Sequence, residues 1–219
     1  MAAETLKKIG FFGGTFDPVH NGHLRMALEL EQRLALDEMR LLPCHLPPHR
    51  EAPARSSEDR LAMVRLAVAD CPELQVDDRE LRREAPSYSV ETLREIRAEV
   101  GATVSLCWCI GMDSLANLET WYRWRDLLDY AHLVTVGRPG WHPPVHGELG
   151  AWLQQNLVRE SATLGRRAAG CVLLLESPML EISATDIRSD LVAGRSVQFL
   201  VPDAVRHYIR DNHLYLPAN

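Results

Sequence analysis

The chain has 219 residues, 46% of them hydrophobic and 25% charged, and a formal net charge of −6. These proportions exclude collagen-like and disordered classes and leave enough chain for a sizeable core, while the net acidity argues against broad nucleic-acid binding, which needs a basic face. Phosphate chemistry must then rest on locally clustered cations, and the candidates are His20 and His23, then His45, His49 and Arg50, then Arg188.

The apolar run Ile9 to Phe12 reads as a strand. It leads into the block Gly13-Gly14-Thr15-Phe16-Asp17-Pro18-Val19-His20-Asn21-Gly22-His23, a tight loop stiffened by Pro18. Gly13 and Gly14 allow backbone angles and close approaches that a Cβ would forbid, so a polyanion can lie against main-chain N–H groups there. Asn21 is the expected N-cap of the following helix, whose first turn offers unpaired N–H donors and the positive end of a dipole. His20 and His23, three apart across that boundary, can both face one phosphate group. A metal pair or two unrelated surface histidines fit the spacing alone as well.

Leu24, Ala27, Leu28, Leu34 and Leu36 recur at helical spacing, and Met39 to Leu42 makes a short strand ended by Pro43, completing a βαβ unit. Residues 43–56 are too proline-rich for helix or central strand and form a loop with a cationic tip, or a solvated linker. Ser56 opens a second helix with Leu61, Met63, Val64, Leu66, Ala67 and Val68 on its apolar side. Leu74 to Val76 is a short strand and Glu80 to Glu84 a solvated surface segment. Ser87 or Ser89 caps a helix that Gly101 stops.

Thr103 to Ile110 reads as a buried central strand, with Cys107 and Cys109 as buried thiols on one face. Asp113 just beyond it suits ribose hydroxyls or a helix N-cap equally. Thr120-Trp121-Tyr122 concentrates aromatics that either pack in the core or stack on a flat heterocycle. His132 to Val136 is another strand; Trp141 to Pro144 is irregular, and Ala151 to Leu157 a modest helix. Val172 to Leu175 is a further strand. Ser183 with Asp186 fits a capping box, while Ser183, Thr185 and the first-turn N–H groups could bind phosphate with Arg188 in reach. Pro202 starts a last helix through Val205, Tyr208 and Ile209, and Leu214 to Pro217 is a tail.

Cys44, Cys71, Cys107, Cys109 and Cys171 are odd in number and include no C-x-x-C pair, which argues against a disulfide framework or zinc site. Lys7 and Lys8 precede only a short apolar run and no apolar stretch reaches membrane length, so neither a signal peptide nor a membrane partner is expected. A cytoplasmic chain without nucleic-acid partners is the expectation. The two phosphate motifs near opposite ends of the sequence meet naturally in a doubly wound, Rossmann-like parallel α/β sheet with helices on both faces. We expect one domain over residues 1–219, with 183–219 as a C-terminal helical subregion.

The glycine loop, His20-Asn21-Gly22-His23 and Ile182-Ser183-Ala184-Thr185-Asp186-Ile187-Arg188 together resemble the nucleotidyltransferase superfamily with a (T/H)-x-G-H signature. Within it, the order of Leu46-Pro47-Pro48-His49-Arg50, Pro86-Ser87-Tyr88-Ser89, Ile110-Gly111-Met112-Asp113-Ser114 and Thr120-Trp121-Tyr122 resembles the bacterial nicotinate-mononucleotide adenylyltransferases. The resemblance implies adenylyl transfer from ATP to nicotinate mononucleotide, with Mg²⁺ carried mainly by the ATP phosphates. It implies that Gly13, Gly14, Thr15, His20 and His23 hold those phosphates, with Gly111, Asp113 and Arg138 near the adenosine. Ser183, Thr185 and Arg188 would close over the triphosphate, His20, His23 and Arg188 being the catalytic set. His49, Arg50, Tyr88, Ser89, Trp121 and Tyr122 would receive the mononucleotide. Cys44 and Ser89 depart from the family, which more often has a polar residue such as asparagine and a threonine there. A related phosphopantetheine adenylyltransferase would be shorter and lack the aromatic turn; a class I aminoacyl-tRNA synthetase fragment would carry a lysine-rich loop where Ser183 to Arg188 stands. A nucleotide sensor without catalysis would show a damaged histidine motif. The sequence leaves the oligomeric state open, a homo-oligomer included.

Overall fold

The computed structural model describes residues 5–45, 52–83, 86–138, 140–177 and 180–216. In chain order the regular elements are β1 (Lys7–Gly14), α1 (Asn21–Leu34), β2 (Glu38–Pro43), α2 (Ser57–Val68), β3 (Leu74–Val76), α3 (Ser89–Val100), β4 (Val104–Gly111), α4 (Met112–Ala116), α5 (Leu127–Tyr130), β5 (His132–Gly137), α6 (Gly147–Asn156), β6 (Leu157–Val158), β7 (Val172–Glu176), α7 (Ala184–Val192) and α8 (Asp203–Asp211). The described residues form a seven-stranded sheet in the order β3-β2-β1-β4-β5-β7-β6, and every pairing is parallel.

Parallel strands buried on both faces read as continuous apolar runs, and their alternate side chains go to opposite layers. In β4, Cys107 and Cys109 enter one core layer, whereas Leu106, Trp108 and Ile110 enter the other. The first layer is closed by Met26 and Leu30 of α1, Met63 and Val64 of α2, Ile187 of α7, and Val205 and Ile209 of α8. The second is closed by Leu93 and Ile96 of α3, Leu127 of α5, and Leu149 and Leu153 of α6. The doubly wound architecture is therefore as expected, with both cysteines of β4 buried and the Cys107 thiol pushed up to about 12 by desolvation.

Several local expectations are corrected. Helix α2 buries Arg60 with Met63, Val64 and Val68, while Leu66 is exposed, because the core-facing stripe runs through position 60 and not 66. Tyr88, without a side-chain cap, precedes α3 in place of Ser87 or Ser89; the Ser87 hydroxyl instead accepts from the His45 N–H at 3.0 Å. Leu214 and Tyr215 are buried in the first core layer and not a free tail. The two-residue β6 has no counterpart in the sequence pattern, and α6 starts at Gly147, ahead of the expected Ala151.

Helix α8 packs its Val205 and Ile209 into the same layer as α2 and the sheet, so its loss of contact is felt by the whole core. Ile209→Ala is expected to cost about 2–5 kcal/mol of unfolding free energy in urea titration, the usual range for truncating a buried aliphatic side chain. A loss below about 0.5 kcal/mol would mean that α8 contributes little to the core.

Candidate active site

Strand register places the ends of β1 and β4 side by side, with Phe12 beside Cys109. From β1 the chain crosses to β2 on one side, and from β4 to β5 on the other, so the two strand ends flank the switch point at which open parallel sheets form their crevice. A cavity of about 960 Å³ opens there. Its wall includes Gly13, Gly14 and Thr15 after β1, His20 and His23 at α1, Gly111 and Asp113 after β4, Ser89 and Trp121, and Ser183, Thr185 and Arg188 at α7.

The glycine loop turns at Phe16, whose φ of 51° is left-handed; Gly13 and Gly14 remain in the extended strand. The expectation of special glycine angles is thus replaced by one of close approach. A Cβ on Gly14 would stand 3.0 Å from the Phe16 ring, and one on Gly22 would stand 3.0 Å from His20 Nδ1. The glycine of His20-Asn21-Gly22-His23 makes room for the first imidazole.

The N-cap of α1 is His20 and not Asn21. The His23 N–H donates to His20 Nδ1 and the His20 N–H donates to His23 Nδ1, both at 3.3 Å, a capping box built from two imidazoles. Because both Nδ1 atoms accept, each neutral ring carries its proton on Nε2. The rings stack at 3.6 Å between centroids, and burial lowers the His20 pKa to about 4, so His20 is neutral at pH 7. Asn21 serves a different purpose: its side-chain amide donates to the Phe199 carbonyl at 2.7 Å, fixing the 197–201 segment against α1.

Asp17, buried in the same loop, joins segments far apart in sequence. Its carboxylate accepts from the Ala54 N–H at 2.6 Å and from the Tyr215 hydroxyl at 2.5 Å, and its carbonyl accepts from Arg188 Nη1 at 2.7 Å. Burial, followed by the bond to Asp17, pushes the Tyr215 hydroxyl pKa far up. Arg188 also donates to Thr185 Oγ1 at 3.2 Å, and Ser183 caps α7 by accepting from the Asp186 N–H. The capping reading of Ser183 and its place on the cavity wall therefore hold together.

At the other end of the cavity, Gly111 and not Asp113 is the N-cap of α4, leaving Asp113 on the wall. Trp121 lines the cavity and packs on the core, while Tyr122 is half exposed with its ring 4.9 Å from that of Tyr88. Arg138 stands outside the wall, ion-paired with Glu181 on the surface. His49 and Arg50 lie outside the described residues. Cys44 lines the cavity with its Sγ 3.8 Å from Thr15 Oγ1.

Glu80 corrects the expectation of a solvated segment: it is 3% exposed and lines the cavity. Burial raises its carboxyl pKa, opposed by hydrogen bonds from the Thr92 and Ser87 hydroxyls and by the Arg83 charge. Through Ser87, which also holds the His45 N–H, it ties the start of α3 to the end of β2. Charge density in the sequence concealed it, and of its charged neighbours Arg82 is indeed exposed. Asp17 and Tyr215 carried no sequence signal beyond their residue types.

Two outcomes follow from this geometry. Between pH 6.5 and 4 the unfolded chain takes up a proton at position 20 that the folded chain refuses, so this term stabilises at neutral pH and is lost as pH falls through that window. At about 1.4 kcal/mol per unit the loss is on the order of 3 kcal/mol; urea unfolding at pH 7 and 4.5 is expected to show a fall smaller by about 2–3 kcal/mol in His20→Asn than in the parent chain. Tyr215→Phe leaves a buried Asp17 oxygen without its donor and is expected to cost about 1–3 kcal/mol. Equal midpoints for that variant and the parent would remove Tyr215 from the account of the loop.

Residues 11–190 match the cytidylyltransferase-like family profile. A Cellvibrio japonicus protein named probable nicotinate-nucleotide adenylyltransferase is 52% identical over 94% of this chain and 98% of its own length. A Pseudomonas aeruginosa protein of the same name is 48% identical over 95% and 97%. Among solved structures, Plasmodium falciparum nicotinic acid mononucleotide adenylyltransferase complexed with NaAD superposes with a TM-score of 0.71 at 15% identity, covering 95% of this chain and 97% of that one, a likeness of fold. With the family profile spanning most of the sequence and half the residues shared with full-length relatives, this chain belongs to the cytidylyltransferase-like nucleotidyltransferases and, within them, to the nicotinate-nucleotide adenylyltransferase family.

Proposed function

We propose that the chain transfers the adenylyl group of ATP to nicotinate mononucleotide, releasing pyrophosphate and forming deamido-NAD in NAD biosynthesis. The observation that carries this reading is the stacked imidazole pair of His20 and His23, which shares one cavity wall with the glycine loop, Arg188 and the start of α7. A mononucleotide phosphate oxygen attacks the α-phosphorus in line, a P–O bond forms, and the bond to the β-phosphate oxygen breaks with its electron pair leaving on pyrophosphate. The attacking phosphate is already anionic, so the protein's task is positioning and charge stabilisation, with no base of its own required.

In this reading the Nε2–H groups of His20 and His23 donate to phosphate oxygens, and neutrality of His20 suits it to donate without holding the product as a cation would. Main-chain groups of Gly13, Gly14 and Thr15, the Ser183 and Thr185 hydroxyls and the remaining Arg188 donors complete the phosphate site. Gly111 and Asp113 serve the adenosine, with Arg138 near its mouth. Ser89 and Trp121, with Tyr88, Tyr122, His49 and Arg50 around them, serve the mononucleotide. Among the described residues no three His, Cys, Asp or Glu side chains form a metal cage. Both Asp17 carboxylate oxygens are also taken by protein donors. Such a wall fits Mg²⁺ that enters on the triphosphate, where it would offset phosphate charge. We read residues 1–219 as a single nucleotidyltransferase domain. A cytoplasmic setting fits five cysteines that are all free thiols.

The test is pyrophosphate release with ATP, Mg²⁺ and a panel of nicotinate mononucleotide, nicotinamide mononucleotide and phosphopantetheine. Nicotinate mononucleotide is expected to lead in kcat/KM by at least about tenfold, given roughly 1.5–3 kcal/mol for a hydrogen bond to its charged carboxylate. His23→Ala is expected to lose on the order of 10² to 10³ in kcat while remaining folded. Parity across the panel, or near-parental turnover by that variant, would overturn the assignment.

A further inference from the structure

Among the described residues Arg60 is the largest fully buried side chain, 1% exposed on the inner face of α2. Its Nη1 donates to the Thr15 carbonyl at 2.7 Å, and its Nη2 donates to the His45 carbonyl and the Ser57 hydroxyl at 3.2 Å each; Nε has no partner. Among the described residues it forms no ion pair. Arg79, by contrast, meets Asp77, Glu95 and Glu99. The neighbouring Asp59 is engaged elsewhere, by the Ser56 and Tyr208 hydroxyls.

A buried cation balanced only by carbonyl and hydroxyl dipoles is costly, and this one lies directly behind the proposed phosphate loop. Thr15 and Phe16 line the cavity, while Arg60 does not, so the charge lies one peptide unit behind the wall and away from water. The Thr15–Phe16 peptide is trans and planar, so its N–H points opposite to the carbonyl that Arg60 holds. That Phe16 N–H has no acceptor among the described residues. The cation thus orients and polarises a main-chain donor, and adds its own field in a region of low dielectric.

We propose that Arg60 is a positioning residue for the ATP triphosphate, a sequestered positive charge that acts on it through the peptide between Thr15 and Phe16. The inference rests on the adenylyltransferase reading and adds to it a cation that never touches the ligand. Removing the charge weakens ATP and leaves the mononucleotide alone. Keeping the charge while losing the planar fork retains most of the effect, whereas a purely structural arginine would respond to lost geometry in either variant and disturb both substrates.

The experiment measures ATP binding with Mg²⁺ by calorimetry, and KM for each substrate, in the parent chain, Arg60→Gln and Arg60→Lys. Arg60→Gln is expected to raise the ATP Kd about tenfold, equal to about 1.4 kcal/mol, with KM for nicotinate mononucleotide within about twofold of the parent. Arg60→Lys is expected to stay within about threefold for ATP. Arg60→Met, which fills the space without charge, carries the same test should the glutamine variant not fold. An ATP Kd within twofold of the parent in a folded, charge-free variant overturns the proposal, as does an equal loss in the lysine variant. A parent chain that binds ATP but ignores nicotinate mononucleotide would instead refute the substrate reading, and the comparison of ATP affinities would still decide the role of Arg60.

Discussion

The site depends on one buried carboxylate. Asp17 sits in a loop that has almost no regular hydrogen bonding of its own, and a segment so placed needs partners supplied from elsewhere. It finds them in the Ala54 N–H, the Tyr215 hydroxyl and the Arg188 guanidinium, so one residue ties the end of β1 to the loop before α2, to α7 and to the closing stretch of the described chain. The cavity wall is drawn from these same segments. Residues separated by as many as 198 positions are held against one carboxylate, which makes the site a property of the completed fold and not of any single motif.

Around that point the acidic chain arranges its cations so that few are spent on surface pairing near the cavity. The two imidazoles cap each other, Arg188 is held by a carbonyl and a hydroxyl, and Arg60 is held by carbonyls and a hydroxyl. The arginines at the far side behave differently. Arg79 and Arg83 are saturated by Asp77, Glu95 and Glu99 in a network between β3 and α3. Such a pattern leaves positive potential where phosphate would enter without requiring a basic protein.

Periodicity in the sequence is enough for the longer strands of the sheet, though not for the two-residue β6. The apolar runs of β1, β4, β5 and β7 and the helical spacing of α1 and α3 follow from burial on two faces and on one, respectively, and these patterns survive tertiary context. The two phosphate motifs were legible because glycine, histidine and a capping serine announce backbone geometry locally. What escaped was polar burial. Glu80 and Arg60 look like surface residues in any one-dimensional pattern, and only the packing of α3 against its preceding turn, or of α2 beneath the glycine loop, reveals their partners. Asn21 has a side chain suited to an N-cap, yet the histidine before it takes the position because the pair at 20 and 23 can cap reciprocally. Nothing near Tyr215 in sequence shows that its hydroxyl reaches the first loop.

The order of the sheet has a consequence for how the molecule behaves in a crowded solution. Its longest strands, β1 and β4, lie in the interior, while the two outermost positions are occupied by its shortest, three residues in β3 and two in β6. An edge strand offers unpaired backbone groups to any extended chain that passes, and the length of that offer sets how firmly an intruder can hold. Neither outermost strand offers more than a few rungs, so a foreign strand added along either of them has little to grip.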